Sequence, residues 1–174
     1  MDYYFRKATI NEVKHIFDLI QKRMHWMDKV GIKQWNITEY DKIYPIEYYM
    51  KEQSKGTLFV LEEKKTNNIV AAAVLLEEDD RWNDGASSFY LHNFVTDIDA
   101  KGVGKIFLAK AEEYATIKGK KYFRLDSAES NKKLEQYYTF QKFEAVGRCI
   151  DAQYIGILRQ KELSKKTMIN GFFR

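Results

Sequence analysis

The stretch Val95-Thr96-Asp97-Ile98-Asp99-Ala100-Lys101-Gly102-Val103-Gly104-Lys105 holds the residues best suited to bind a phosphate. A β-prone run leads into a glycine-bearing loop, and the loop opens directly into a segment with helical spacing. First-turn N–H groups of a helix have no intrahelical acceptor and sit at the positive end of its dipole. Glycines there let the backbone approach an anion closely, and Lys101 and Lys105 add charge. Two other phosphate-binding patterns fail on spacing. A P-loop needs glycine where Asp99 stands and Ser or Thr where Ile106 stands. A dinucleotide fingerprint needs glycine where Phe107 stands, and needs it early in a βαβ unit. Taken alone, Gly-x-Gly at a helix start also describes a plain structural turn, so both readings stay open.

Groups able to move a proton are few. His92 lies on the run that feeds the loop, and imidazole titrates near neutrality. Strand alternation puts its side chain opposite those of Leu91 and Asn93, without saying which face lines a cleft. It is a candidate base or a structural histidine. Glu77, Glu78 and Asp80 could act through a water, although an acidic run at a turn is ordinarily solvated. His15 and His25 fall on the first helical segment and read as structural. No His, Cys and Asp cluster has metal-ligand spacing, so no metal is expected. The single cysteine, Cys149, has no neighbouring histidine and is not expected to be a nucleophile.

These residues need elements to position them. Residues 3–8 read as a strand, followed by a capping box in Thr9 and Glu12. Val13, Ile16, Phe17, Ile20, Met24 and Met27 continue at helical spacing towards Gly31. Residues 34–44 are aromatic and irregular, and Pro45 is placed to open a short helix ending near Gly56. Strands are expected at 58–61, 69–76 and 89–96, the first two joined by a hairpin-like turn. A helix runs from Gly102 to the stop at Lys118-Gly119-Lys120. A strand at 122–125, a helix at 131–141 and strands at 143–146 and 153–158 complete a mixed α/β order with no internal repeat.

Composition bounds the rest. A chain of 174 residues suits one domain, here 1–174 with a basic tail from about 160, and 45% hydrophobic residues suffice for its core. A net charge of +4, scattered along the chain, is no nucleic-acid footprint. Arg159, Lys161, Lys165, Lys166 and Arg174 make the last segment basic, as a solvated tail would be. No apolar run approaches a membrane span, and Met1 to Lys7 lack a signal-peptide layout. With one cysteine, a reducing, cytoplasmic location is expected.

The phosphate loop, together with the segments C-terminal to it, resembles the GNAT superfamily of N-acetyltransferases, whose loop reads Gln/Arg-x-x-Gly-x-Gly/Ala. Gly102 and Gly104 match, while Asp99 replaces the leading Gln or Arg. Arg124-Leu125-Asp126, Asn131, Leu134-Glu135-Gln136-Tyr137-Tyr138 and Phe143-Glu144-Ala145-Val146-Gly147 resemble the family's strand-Asn-helix-Tyr-strand ending, with Lys142 in place of the usual glycine. Arg6-Lys7-Ala8-Thr9 and Gly31-Ile32-Lys33-Gln34-Trp35 resemble the opening of a bacterial branch. The likeness covers about residues 3 to 158 in order.

That resemblance implies a central, mostly antiparallel sheet flanked by helices, with two strands splayed at the cofactor. It implies acetyl-CoA, its pyrophosphate on the amides of Lys101, Gly102, Val103, Gly104 and Lys105. The pantetheine would pair with the backbone around Phe94 and Val95, and Asn131 would be a pantetheine or capping residue. An amine would attack the thioester directly, with Tyr138 as the acid, Tyr137 as the alternative, and His92 as a candidate base. Asp99 would put an anion near the phosphates and either weaken the cofactor's hold or leave it to the backbone alone, and Lys142 would add local strain to a turn. The acceptor would be set by residues 31–49, where Trp35, Tyr40, Tyr44, Tyr48 and Tyr49 form a slot for a cationic amine, core, or a homodimer face. The alternative is a CoA-binding, regulatory domain of the same fold without turnover.

Overall fold

The computed structural model describes residues 2–152 and 154–163. Seven strands form one sheet: β1 (Tyr3–Lys7), β2 (Leu58–Glu63), β3 (Asn68–Leu76), β4 (Ser88–Thr96), β5 (Tyr122–Ala128), β6 (Glu144–Asp151) and β7 (Tyr154–Glu162). Their spatial order is β1-β2-β3-β4-β5-β7-β6. Every neighbouring pair is antiparallel except β4 and β5, which run parallel.

Between β1 and β2 lie α1 (Val13–Val30), the short α2 (Tyr40–Ile43) and α3 (Ile46–Lys55). The Thr9–Glu12 capping box forms ahead of α1, with the Thr9 N–H donating to Glu12 at 2.7 Å. Gly31 ends the helix at φ 74°, a left-handed conformation that costs a residue without Cβ little. Pro45 precedes α3 as expected, but as the residue just before its first turn. Residues 34–44, expected to be irregular, contain α2.

Alternation in the central strands builds two core layers. Phe59, Leu61, Ala73, Leu75 and Leu91 face α4 (Val103–Ile117), packing with Phe107, Leu108 and Ala111. Val60, Ala72, Val74 and Val95 face α1 and α3, packing with Ile16, Ile20 and Tyr49. The fifth helix, α5 (Lys132–Phe140), lies beyond β5 in the chain and ends in Lys142 at φ 69°, the strained turn expected there.

The C-terminal expectation needs correction. β7 continues to Glu162, so 160–162 are strand and not tail. Arg159 is 1% exposed and donates to Ser127 at 3.0 Å, while Lys161 donates to Glu112 at 2.6 Å. These cations are bound by the fold because β5 needs a partner along its whole length. The rest of the expected tail, 164–174, lies outside the described residues.

One irregularity positions the site. β4 and β5 pair only at Ser88–Tyr122, Phe89–Phe123 and Tyr90–Arg124, and beyond that they part. On its other side β4 pairs Val74 with His92 but Ala72 with Val95, so β4 carries one extra residue, a bulge. Asn93 sits in it at φ 53°, a conformation asparagine tolerates better than most residues. The Tyr48 hydroxyl donates to its Oδ1 at 2.9 Å, and its amide donates to the Tyr40 hydroxyl at 2.6 Å. These bonds pin the bulge to the α1–α3 face.

Candidate active site

Where β4 and β5 separate, a cleft of about 1440 Å³ opens, bounded also by residues 32–44 and by α5. One end is built from backbone. Gly102 precedes α4 at φ 79°, and no side chain caps the first-turn N–H groups of Val103, Gly104 and Lys105. A Cβ on Gly102 would meet open space, whereas one on Gly104 would meet the Tyr137 hydroxyl at 3.0 Å and Thr96 at 3.5 Å. The first glycine therefore serves conformation and the second serves close packing. Gly102, Gly104 and Lys105 line the cleft, and β4 beyond Tyr90 has no strand partner on that side. An uncapped helix start beside an unpaired strand edge suits a pyrophosphate followed by an amide-bearing arm.

Two α1 cations, not anticipated from the sequence, fasten this end. Lys22 donates to Asp97 and Asp99, each at 2.7 Å. Arg23 donates to the Thr96 carbonyl at 2.7 Å and its hydroxyl at 2.8 Å, fixing the end of β4. The Asp99 carboxylate is thus paired with the Lys22 ammonium while staying largely exposed.

The other end is built from side chains. His92 Nε2 lies 2.9 Å from Asp79 Oδ2. Asp79 Oδ1 accepts from the Arg81 backbone N–H at 3.0 Å and from its Nε at 3.1 Å. Arg81 Nη1 donates to Asp126 at 2.9 Å, and the Tyr154 hydroxyl donates to the other Asp126 oxygen at 2.5 Å. Burial opposes the ionisation of Asp79, but hydrogen bonds from His92 and the Arg81 backbone, with the guanidinium charge, hold it well below the usual carboxylate range. Burial likewise opposes the charge on Arg81, and Asp126 and Asp79 outweigh it, so the guanidinium stays charged.

The aromatic segment divides. Tyr49 is fully buried core. Tyr48 holds Asn93, while Trp35, Tyr40 and Tyr44 line the cleft, with Trp35 stacked on Tyr40 at 4.4 Å between centroids. Burial raises the Tyr44 phenol, and its ionic neighbours are Arg81, Asp126, Asp151 and Asp79. Asp79, Asp126 and Asp151 thus lie with Arg81 around the Tyr44 phenol.

Tyr137 and Tyr138 are neighbours on α5. The Tyr137 hydroxyl is sealed against α4 without a hydrogen-bond partner. Both rings line the cleft, and Tyr138 is the more buried of the two, 6% exposed. Burial raises the Tyr138 phenol well above its ordinary value, keeping its proton in place at neutral pH. Asn131 caps α5 by accepting from the Leu134 N–H at 3.1 Å, and its amide donates to Gln34 at 3.1 Å across the cleft.

Of the residues expected from the sequence, His92, Phe94, Gly102, Gly104, Lys105, Asn131 and Tyr138 meet around this one cleft. Lys101 does not line it. Val95 and Val103 are each 1% exposed in the core, so only their backbone can face a ligand. His15 and His25 lie away from it on α1. Asp79, Arg81, Asp126 and Tyr154 were not anticipated as site residues. The one visible signal was the acidic run 77–80, whose buried member is Asp79.

A mostly antiparallel sheet, parted beside an uncapped helix start, suits an extended ligand that carries a pyrophosphate. Residues 18–143 match the model of the acetyltransferase (GNAT) family, and the chain belongs to that family. The family uses acetyl-CoA. No curated protein matches the chain. Among solved structures it is similar in fold to a GNAT-family acetyltransferase from Listeria monocytogenes, with TM-score 0.75, 22% identity, and 92% of this chain and 95% of that one covered. A second, from Streptococcus agalactiae, gives TM-score 0.79, 18% identity, and 94% and 96% coverage. PaiA N-acetyltransferase from Thermoplasma acidophilum, solved in complex with coenzyme A, gives TM-score 0.72, 16% identity, and 93% and 99% coverage.

Proposed function

We propose that this chain transfers the acetyl group of acetyl-CoA to a primary amine by direct attack. The observation that carries the reading is the joining, in one cleft, of an uncapped helix start with His92 and Tyr138. The amides of residues 101–105 hold the pyrophosphate, with Lys105 adding charge. The free edge of β4 around Phe94 and Val95 pairs with the pantetheine and supplies an N–H to the developing oxyanion.

The cleft takes the acceptor as an ammonium, which gives one proton to solvent before it can attack. The amine nitrogen then bonds to the thioester carbonyl carbon, and His92 takes a proton from that nitrogen. As the intermediate collapses the carbon–sulfur bond breaks, and Tyr138 gives its proton to the departing thiolate. No covalent bond to the enzyme is formed, consistent with a buried Cys149 whose thiol burial pushes up.

The test is release of free thiol from acetyl-CoA with a panel of amines, repeated with Tyr138→Phe. The variant keeps the ring, so CoA affinity stays near wild type while single-turnover transfer falls about 10²–10⁴-fold. More than half of wild-type transfer would reject Tyr138 as the acid. CoA binding without transfer to any amine would favour a cofactor-binding domain without turnover.

A further inference from the structure

The acidic turn after β3 has the look of a solvated run, yet one of its members reaches inward. The Asp79 side chain is 9% exposed and faces His92, itself 15% exposed. We infer that Asp79 is the positioning residue of the base: it holds His92 in the Nε2–H tautomer and leaves Nδ1 to take the proton of the acceptor amine. The inference rests on the acetyl-transfer reading of the cleft.

An ionised carboxylate only accepts hydrogen bonds, so the contact between Asp79 Oδ2 and His92 Nε2 at 2.9 Å requires the proton on Nε2. The lone pair is then on Nδ1, which has no protein partner among the described residues. Ionisation of Asp79 is secured from the opposite side, where Arg81 gives Oδ1 both its backbone N–H and its Nε. Arg81 is itself anchored by Asp126, which Tyr154 holds. The orientation of the imidazole is thus passed from β5 and β7 through a guanidinium and a carboxylate to β4.

When His92 Nδ1 accepts the amine proton, the ring becomes an imidazolium whose charge faces the Asp79 carboxylate. Asp79 stays ionised throughout. The other groups around this end are Arg81 on the same turn, Tyr44 just after α2, Asp126 from β5, Asp151 from β6 and Tyr154 from β7. On the β4 side the neighbouring Asn93 is occupied by the neutral Tyr40 and Tyr48.

Arg81 gives the idea a sharp test. In Asp79→Asn the amide oxygen must face the two Arg81 donors, which cannot accept. The –NH₂ group is then left facing His92 Nε2. It can only donate there, so the ring must switch to the Nδ1–H tautomer, and the base loses its lone pair.

Nitrogen-15 spectra of the unliganded protein read this directly, because the chain has three histidines and His92→Gln identifies the relevant one. Wild type is expected to show His92 as Nε2–H when neutral, and Asp79→Asn to show Nδ1–H. In turnover Asp79→Asn loses about 10²–10⁴-fold in kcat with the KM for acetyl-CoA unchanged, as for loss of a general base. Added to His92→Gln, the same change costs nothing further.

An Nδ1–H tautomer in wild type would overturn the inference, and this needs no variant to fold. So would an unaltered His92 spectrum in Asp79→Asn, or additive losses in the double variant, which mark a merely structural carboxylate. If wild type transfers acetyl to no amine, the transfer reading fails separately, and the spectra still decide which nitrogen Asp79 holds.

Discussion

The two ends of the cleft solve different chemical problems with different materials. The end proposed for the pyrophosphate offers backbone N–H groups of Val103, Gly104 and Lys105, consecutive in sequence and fixed by one helix start. The end proposed for the acceptor has the side chains of Tyr44, Asp79, Arg81, His92, Asp126 and Tyr154, drawn from the residue after α2, the turn after β3, and three strands. A pyrophosphate is the same in every acetyl-CoA, so donors that cannot change without losing the helix start serve it well. An acceptor amine must be told from other amines and must give up a proton, and that takes groups that titrate and can be exchanged singly. The first end should therefore respond to mutation as one unit and the second as a network.

The largest effect is expected where the backbone is blocked. Acetyl-CoA at about 100 times its dissociation constant should stabilise wild type by about 2.7 kcal/mol, a melting shift of roughly 5–10 °C for a domain this long. Gly104→Asp should abolish that shift, since the new side chain meets Tyr137 and Thr96 and repels the pyrophosphate. Circular dichroism of the unliganded variant separates loss of binding from loss of fold. A retained shift would break the backbone account of this end.

The acceptor end should instead reveal itself through pH. The folded-state pKa of Asp79 lies below its unfolded value of about 3.9. Its contribution to stability is thus complete above about pH 4 and fades as pH falls through the folded value. Denaturant midpoints of Asp79→Asn and wild type should converge between about pH 4 and pH 2, from a gap of about 1–3 kcal/mol at neutrality. A gap independent of pH would mean that the Asp79 charge contributes nothing to the network.

The smallest effect falls at the seam between the ends. The sealed Tyr137 hydroxyl has no partner among the described residues, and a buried unsatisfied polar group costs about 1–3 kcal/mol. Tyr137→Phe should therefore raise the melting temperature slightly and leave turnover alone, in contrast to Tyr138→Phe. A fall in turnover matching that of Tyr138→Phe would move the acid assignment by one residue.

Much of the phosphate end was legible in the sequence because its determinants are neighbours along the chain. Gly102 and Gly104 stand before a run with helical spacing, and free amides at a helix start need no tertiary partner. The capping box at Thr9 and Glu12 and the stop at Gly31 were readable for the same reason. Asp99 was not, because its partner Lys22 comes from a distant helix. Arg159 resembled part of a solvated basic tail until its hydrogen bond to Ser127 on β5 placed it inside.

What the sequence alone determined is the set of local structures, the helix start at Gly102 among them, because helix starts, turns and strand runs arise from contacts within a few residues. What only the tertiary structure decided is the working face of His92. The extra residue in β4 breaks strict alternation and turns Asn93 to the side where Tyr40 and Tyr48 wait. A strand's inward and outward faces exchange with a shift of one residue, and a bulge makes that shift at a place set by the neighbouring strand. Which carboxylate of the run 77–80 reaches His92 was settled in the same way, by the packing of a turn against β4.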